Sequence, residues 1–114
     1  MAPESIKTPW FYILVALAGG DRHGLAIARE VRALSDGRVQ LWPAALYGAL
    51  EELCDRGWIE EVPEARRPPD ESERKHFYRL TRAGRSVVSS ETDRLASLVR
   101  IARARVKPRA GESS

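Results

Sequence analysis

The sequence predicts a mainly α (α+β) fold: a winged helix-turn-helix with a two-stranded wing, followed by a long C-terminal helix. An amphipathic helix is predicted over residues 43–56, because a proline opens it and a glycine follows it. Two apolar-rich runs, residues 58–62 and 76–80, flank a polar segment with three prolines and can pair as a hairpin. An apolar pattern of helical period then continues to residue 107.

Composition and length indicate a folded protein without a membrane span. The chain has 114 residues, of which 43% are hydrophobic and 31% are charged, as in globular domains. Its longest apolar run, residues 10–18, is too short to cross a bilayer, and its first residues lack the pattern of a signal peptide. The single cysteine cannot form an internal disulfide, which is typical of a reducing compartment. We therefore expect a cytoplasmic protein.

The first two helices are predicted from capping residues and apolar spacing. The Thr-Pro pair at residues 8–9 can start a helix over residues 10–18, whose nearly all-round hydrophobicity requires burial on most sides. Asp21 can cap a second helix over residues 23–34 that has an apolar core face. Residues 38–41 alternate like a short strand. Helix, connection, strand and helix in this order are the winged form of a helix-turn-helix.

The third predicted helix has one apolar side and one bare side. Leu46, Leu50 and Leu53 repeat at i, i+4 and i+7 and form its core stripe. The opposite side of its first half carries only small side chains, those of Ala44, Ala45 and Gly48. A helix of this kind suits insertion into the major groove of DNA, although an ordinary amphipathic surface helix has the same pattern.

Charge is distributed unevenly along the chain. The net charge is +3, but residues 82–109 hold eight basic and two acidic residues (net +6), whereas residues 1–81 have a net charge of −2. The basicity therefore lies mostly outside the third predicted helix and does not by itself indicate nucleic-acid binding. The segment between the two wing strands is too polar to be buried and is predicted to be an exposed loop.

Three parts of the chain follow from these patterns. We expect residues 1–81 to form a winged helix-turn-helix DNA-binding domain, residues 82–107 a C-terminal dimerisation helix, and residues 108–114 a flexible tail. The last helix has little of its own domain to cover its apolar stripe. It is therefore expected to pair with the first helix and with the same helices of a second subunit.

The residue types that carry out catalysis or bind metals are not grouped in the sequence. His23 and His76 are isolated, and no set of Ser, His and Asp or of Cys and His has an evident geometry. Cys54 lies beside the apolar stripe of the third helix and is predicted to be a small core residue. We therefore expect no enzyme activity, no metal site and no cofactor.

Several motifs occur together in residues 13–27 (ILVALAGGDRHGLAI), 43–60 (PAALYGALEELCDRGWIE) and 74–85 (RKHFYRLTRAGR). In this combination they resemble the PadR family of bacterial winged-helix transcriptional regulators. The resemblance implies a homodimer, built by the first and last helices, that represses transcription from a palindromic operator. Some family members respond to phenolic acids or flat aromatic drugs at the dimer interface. Leu25 departs from the family's usual Tyr, and the alanines at 44–45 replace its frequent Gly-Thr, so one hydroxyl contact to phosphate is missing.

The resemblance and the bare helix side together predict contacts with double-stranded DNA. The first turns of the third helix would enter the major groove, and the Tyr47 hydroxyl would reach a phosphate. The predicted contact residues lie before this helix, in its first turns and on the basic flanks of the wing loop: Arg38, Gln40, Pro43, Ala44, Ala45, Tyr47, Gly48, Arg66, Arg67, Arg74 and Lys75. Simple packing of Tyr47 and a solvated wing loop are the alternatives. The acidic middle of the loop also fits a winged-helix protein-interaction module without sequence-specific DNA binding.

A small planar aromatic effector is a second hypothesis. The residues that would line its pocket at the dimer interface lie on the first and last helices: Trp10, Phe11, Leu95, Leu98 and Val99. Plain core packing of the same side chains is the alternative.

Overall fold

Three helices and a small antiparallel sheet form the body of the molecule, and a fourth helix extends from it. The computed structural model describes residues 6–63 and 76–107. Its elements in chain order are α1 (Thr8–Ala18), β1 (Arg22–His23), α2 (Gly24–Leu34), α3 (Pro43–Asp55), β2 (Ile59–Glu61), β3 (Phe77–Leu80) and α4 (Arg82–Val106). This is the mainly α winged helix-turn-helix that the sequence predicts.

The core is built around α1, which is apolar on most of its sides. Ile13, Leu14 and Leu17 of this helix are buried completely or almost completely. The cluster is completed by buried residues of α2, Ile27 and Val31, and by the leucine stripe of α3, Leu46, Leu50 and Leu53. Full burial of each such side chain is worth about 1.5–3 kcal/mol relative to exposure. This cluster therefore holds the three helices together.

The sheet contains one strand, β1, that the sequence does not predict. β2 and β3 pair antiparallel as the expected wing hairpin, with Ile59 opposite Leu80. β1 pairs with the other edge of β3, with His23 opposite Phe77, so the strand order is β1-β3-β2. A strand of two residues is too short to produce an alternating pattern, and β1 therefore has no signature in the sequence.

The strand predicted over residues 38–41 is wrong, because this segment forms an irregular loop. The loop is held by Ser35, whose buried hydroxyl accepts a hydrogen bond from the Val39 N–H (2.9 Å). Asp36 (φ 59°) and Gly37 (φ 80°) adopt left-handed conformations that turn the chain. The chain thus passes from α2 to α3 without adding a strand to the sheet.

The second helix begins at Gly24, one residue later than predicted. His23 and not Asp21 caps it, since the His23 Nδ1 accepts a hydrogen bond from the Ala26 N–H (3.2 Å). The physical reason is that residues 22–23 are extended in β1, so the helix starts directly after the strand.

Gly57 ends α3 as predicted, and the same point anchors α4. Gly57 has a left-handed conformation (φ 75°), and the Trp58 N–H donates to the Leu53 carbonyl (3.1 Å), as in a Schellman motif. The Thr81 hydroxyl accepts from the Gly84 N–H (3.0 Å) and donates to the Gly57 carbonyl (2.6 Å). The end of α3 and the start of α4 are therefore tied together.

α4 is one continuous helix that leaves the body of the molecule. Its first part packs on the core through Val87 and Val88, whereas Leu98, Val99 and Val106 further along are exposed. The projecting helix contributes to the elongated dimensions of 64 × 34 × 23 Å. In the part of the chain that the structure describes, no helix is both long and apolar enough to cross a membrane.

Substitution of Gly84 by alanine is expected to lower the free energy of unfolding by more than about 3 kcal/mol. A Cβ at this position would overlap the Trp58 carbonyl oxygen and would lie 2.7 Å from the Leu80 Cδ1 atom, so the junction must shift. Urea denaturation measures the loss.

The matched control for this experiment is Gly48→Ala in α3, where a Cβ would meet no described atom within 4 Å. Alanine there should raise the free energy of unfolding by up to about 1 kcal/mol, because it favours the helix. A Gly84→Ala protein as stable as the wild type would contradict the packing at the junction.

Candidate nucleic-acid interface

The first half of α3 faces solvent with a surface that has no long side chain. On its inner side Leu46, Ala49 and Leu50 point into the core. Its exposed side, called the bare face below, consists of Ala44, Ala45 and Gly48. The structure therefore places these small residues where the sequence predicts them. A partner can approach the helix backbone closely here, as in helices that enter the major groove.

Tyr47 lies at one flank of the bare face and touches α2. Its side chain is 54% exposed, and its ring rests on Gly24. A Cβ added to Gly24 would lie 3.0 Å from the Tyr47 hydroxyl and 3.2 Å from its Cε1 atom. The missing side chain at Gly24 thus gives the tyrosine ring its place. Tyr47 therefore both packs and remains accessible: its ring contacts α2, while about half of its side chain is exposed to solvent.

The charge along α3 changes from neutral at its start to acidic at its end. Arg38 is the one charged residue in the sequence from its own position to the middle of α3. Further along, Glu51 and Asp55 are exposed, and Glu52 Oε1 pairs with Arg56 Nε (3.1 Å). Phosphate groups would be repelled by the end of the helix but not by its start.

The start of α3 is exposed and carries no side-chain cap. Pro43 occupies its first turn, and within the described residues the side chain of the N-cap residue, Trp42, makes no capping hydrogen bond. The first N–H groups of the helix are therefore left for an external acceptor. Trp42 itself is 71% exposed. Trp42 is not among the contact residues predicted from the sequence. The signal that could have identified it is an aromatic residue where N-caps usually have Ser, Thr, Asp or Asn.

The other predicted contacts lie on the loop before α3 and on the wing. Arg38 and Gln40 are exposed on the loop. In the base of the wing, Arg79 Nε pairs with Glu60 Oε1 across the hairpin (2.7 Å), so this arginine is engaged within the sheet. Four predicted residues of the wing loop lie outside the described residues: Arg66, Arg67, Arg74 and Lys75.

The start of α1 forms the second flank of the bare face. Trp10 is only 8% exposed, and the centroid of its ring lies 4.9 Å from both the Lys7 Nζ atom and the Arg56 guanidinium carbon, within cation–π distance. An open groove separates Lys7 and Trp10 from Ala45 of α3. Trp10 thus packs against residues of its own chain. The other residues predicted to line a ligand pocket are half-buried or exposed: Phe11, Leu95, Leu98 and Val99.

Reactive side chains form no catalytic arrangement in the part of the chain that the structure describes. Burial raises the pKa of the half-buried Cys54, and the carboxylates of Glu61 and Asp55 raise it further, so the thiol stays protonated at neutral pH. His23 caps α2 and meets Phe77 edge to face, with ring centroids 5.5 Å apart. Residues 6–63 and 76–107 contain no cluster of three or more potential metal ligands.

A family model matches most of this architecture. The model of the transcriptional regulator PadR-like family covers residues 13–90. The chain is also 37% identical over 86 residues to an uncharacterised 37.1 kDa protein in transposon TN4556 of Streptomyces fradiae, an alignment that covers 75% of this chain and 22% of that protein. The chain thus spans about a fifth of the length of this relative.

Solved structures share the fold. The H. salinarum protein RosR superposes with a TM-score of 0.67 at 24% identity, over 82% of this chain and 77% of that chain. Bacillus subtilis PadR, solved in complex with operator DNA, gives a TM-score of 0.63 at 20% identity, over 75% of this chain and 47% of that chain. At these identities the likeness shows the fold alone.

The rate of Cys54 alkylation by iodoacetamide increases with pH. We expect the midpoint of this increase to lie at a higher pH in the folded protein than in the urea-unfolded chain. The thiolate is the species that reacts, and burial and nearby carboxylates raise the pKa of Cys54 only in the fold. Since the chain has a single cysteine, mass spectrometry of the intact protein measures the rate. A folded profile at the same or a lower pH would contradict this environment and favour a nucleophilic role.

Proposed function

Because the chain belongs to the PadR-like family of transcriptional regulators, we propose that it binds double-stranded DNA as a homodimer and represses transcription from a palindromic operator. The observation that carries the proposal is the solvent-facing bare face of α3. Family membership also confirms the prediction that the chain is a regulator and not an enzyme. Action on chromosomal DNA would place the protein in the cytoplasm.

In the proposed complex, α3 enters the major groove with its N-terminus first. The small residues of the bare face let the helix approach the base edges. The uncapped N–H groups, at the positive end of the helix dipole, point towards a phosphate. Glu51 and Asp55, which are exposed further along, would be repelled by the phosphates and limit insertion to the first turns.

Side chains around the inserted helix supply the remaining contacts. The Tyr47 hydroxyl donates a hydrogen bond to a phosphate at one flank, and Arg38 and Gln40 approach the DNA from the loop before α3. The basic flanks of the wing loop would reach neighbouring phosphates through four residues outside the described part of the chain: Arg66, Arg67, Arg74 and Lys75. Because the start of α3 has no Arg, Asn or Gln for paired hydrogen bonds to a base, DNA shape contributes to specificity.

The homodimer is proposed from the apolar surface of α4 that its own subunit leaves uncovered. Leu98 is 52% and Val106 79% exposed, and both fall on one side of the helix with Leu95. This stripe continues from Val88, which packs on the core of the same subunit. A second copy would bury it, and two α3 helices in such a dimer would meet half-sites about 34 Å apart, one turn of DNA.

The division of labour in this dimer follows the order of the chain. Residues 1–81 would bind DNA and residues 82–107 would hold the two subunits together, while residues 108–114 lie outside the described part.

Two other functions have less support. The first is release from DNA by a planar aromatic ligand. One of the side chains proposed to line its pocket, Trp10, packs instead against Arg56 of its own chain. A winged-helix protein-interaction module is favoured by the exposed acidic residues at the end of α3, Glu51 and Asp55. Failure to bind any DNA at low salt would select this module over the regulator.

Replacement of Tyr47 by phenylalanine is expected to weaken DNA binding about three- to tenfold, because one hydrogen bond to phosphate is lost while the ring keeps its contact with Gly24. The probe is a duplex selected by the wild-type protein from a random-sequence pool. Fluorescence anisotropy measures its affinity over a range of salt concentrations. The salt dependence should not change, since no charge is removed.

Arg38→Gln is the matched comparison for the tyrosine variant. Loss of a phosphate-binding cation should reduce the slope of log affinity against log salt by about 1. A Tyr47→Phe protein that binds the duplex as tightly as the wild type would contradict the phosphate contact of Tyr47.

Leu98→Glu is expected to convert the dimer into a monomer, because it would bury a carboxylate in the middle of the apolar stripe. Sedimentation equilibrium measures the change. Leu34→Glu is the control, since Leu34 at the end of α2 has a comparable exposure of 45% but lies outside the stripe. A monomeric wild-type protein, or a Leu98→Glu dimer as stable as the wild type, would contradict dimerisation through α4.

A further inference from the structure

Trp42 has the largest side chain among the exposed apolar residues in the described part of the chain. It is 71% exposed, and among the large apolar side chains in the described part of the chain only that of Val106 is more exposed. The other two tryptophans differ, because Trp10 is buried and Trp58 is half-buried. Tryptophan offers the largest apolar contact surface of any side chain. At the start of α3, this side chain is therefore available for contact with a binding partner of the helix.

The backbone that carries Trp42 is fixed. Its carbonyl accepts a hydrogen bond from the Leu46 N–H (2.8 Å), and the ring of Pro43 restricts the backbone of Trp42, the residue before it. On the other side, Leu41 packs against the core. The backbone at Trp42 is thus already ordered at the start of α3. Little backbone entropy is lost when the indole makes a contact.

The free protein gains little from a tryptophan here. As the N-cap of α3, Trp42 makes no capping hydrogen bond in the described structure, whereas Ser, Thr, Asp or Asn would stabilise the start of the helix. Its side chain is also neither part of the buried core cluster nor among the residues packed against that cluster. Neither capping nor packing explains the residue, which leaves contact with a partner.

The chemistry around Trp42 defines what it can recognise. The next residues at the tip of α3 are Pro43, Ala44 and Ala45, which cannot make the paired hydrogen bonds that read guanine or adenine. The one apolar group on a base edge in the major groove is the 5-methyl group of thymine. Apolar contact with this methyl group is therefore the direct readout that the apolar face of the indole ring can perform.

We propose that Trp42 determines sequence specificity by packing its indole against thymine methyl groups in the major groove. The inference rests on the proposed DNA-binding function and deepens it. Each half-site then carries thymine where the start of α3 lies, and recognition there depends on apolar contact with the indole ring.

The test compares the wild type with Trp42→Ser on a selected duplex and on the same duplex with uracil in place of thymine, which removes only methyl groups. The wild type should lose about fourfold in affinity for each contacted methyl group. Trp42→Ser should bind the thymine duplex at least about tenfold more weakly than the wild type, and uracil should cost it nothing further.

Stability separates a role in binding from a role in folding. Serine can cap α3, so the thermal midpoint of Trp42→Ser should equal or exceed that of the wild type. Leu34→Ser removes another exposed apolar side chain, at the end of α2, and should leave DNA affinity unchanged.

The outcomes distinguish this inference from the function on which it rests. If no duplex is selected and the wild type binds no DNA, the DNA-binding function is contradicted and the inference falls with it. If the wild type binds thymine and uracil duplexes equally well, or Trp42→Ser binds as tightly as the wild type, only the thymine contact is overturned. A Trp42→Ser protein that unfolds or loses its dimer would also overturn it, since the indole would then serve the fold or the subunit interface.

Discussion

Burial of the leucine stripe of α3 against α1 decides which side of α3 meets solvent. The stripe is held in the cluster around Ile13 and Leu17, two completely or nearly completely buried residues of α1. Because an α-helix has 3.6 residues per turn, fixing these leucines inward turns the bare face outward. The candidate interface is thus a consequence of core packing, and it requires no separate structural device.

Two glycines connect this interface to the rest of the fold. Gly24 at the start of α2 leaves room for the Tyr47 ring, and Gly84 at the start of α4 leaves room for the Trp58 carbonyl. In each pair a residue without a side chain in one element receives a group from another element. Segments that are far apart in the sequence but carry the family resemblance together are therefore in direct contact in the structure.

Helices and strands could be predicted from the sequence wherever the spacing of apolar residues indicates the buried side of the element. The periodicity of α3 and α4 and the two runs of the wing predicted these elements, because burial is read directly from spacing. The failures depend on contacts between distant residues. β1 exists because Arg22 and His23 lie beside β3, and the loop after α2 is set by one buried hydroxyl, that of Ser35.

The spacing of apolar residues also does not identify the residues with which a buried side chain is in contact. α1 is apolar on most sides, so the contact between Trp10 and Arg56 was not predictable from its composition. The exposure of Trp42 was equally hidden, since an indole next to an apolar helix usually packs into it. The wing-loop contacts stay a prediction, because those residues lie outside the described part of the chain.

In the proposed arrangement, two copies of the chain present the start of α3 to the major groove one turn of DNA apart. An iron chelate attached through Ala44→Cys, with Cys54→Ala removing the native thiol, tests this placement most directly. Cleavage of a selected duplex should give two clusters of cuts about 10 base pairs apart. A single cluster, clusters at an unrelated spacing, or bound DNA that is not cut would contradict it.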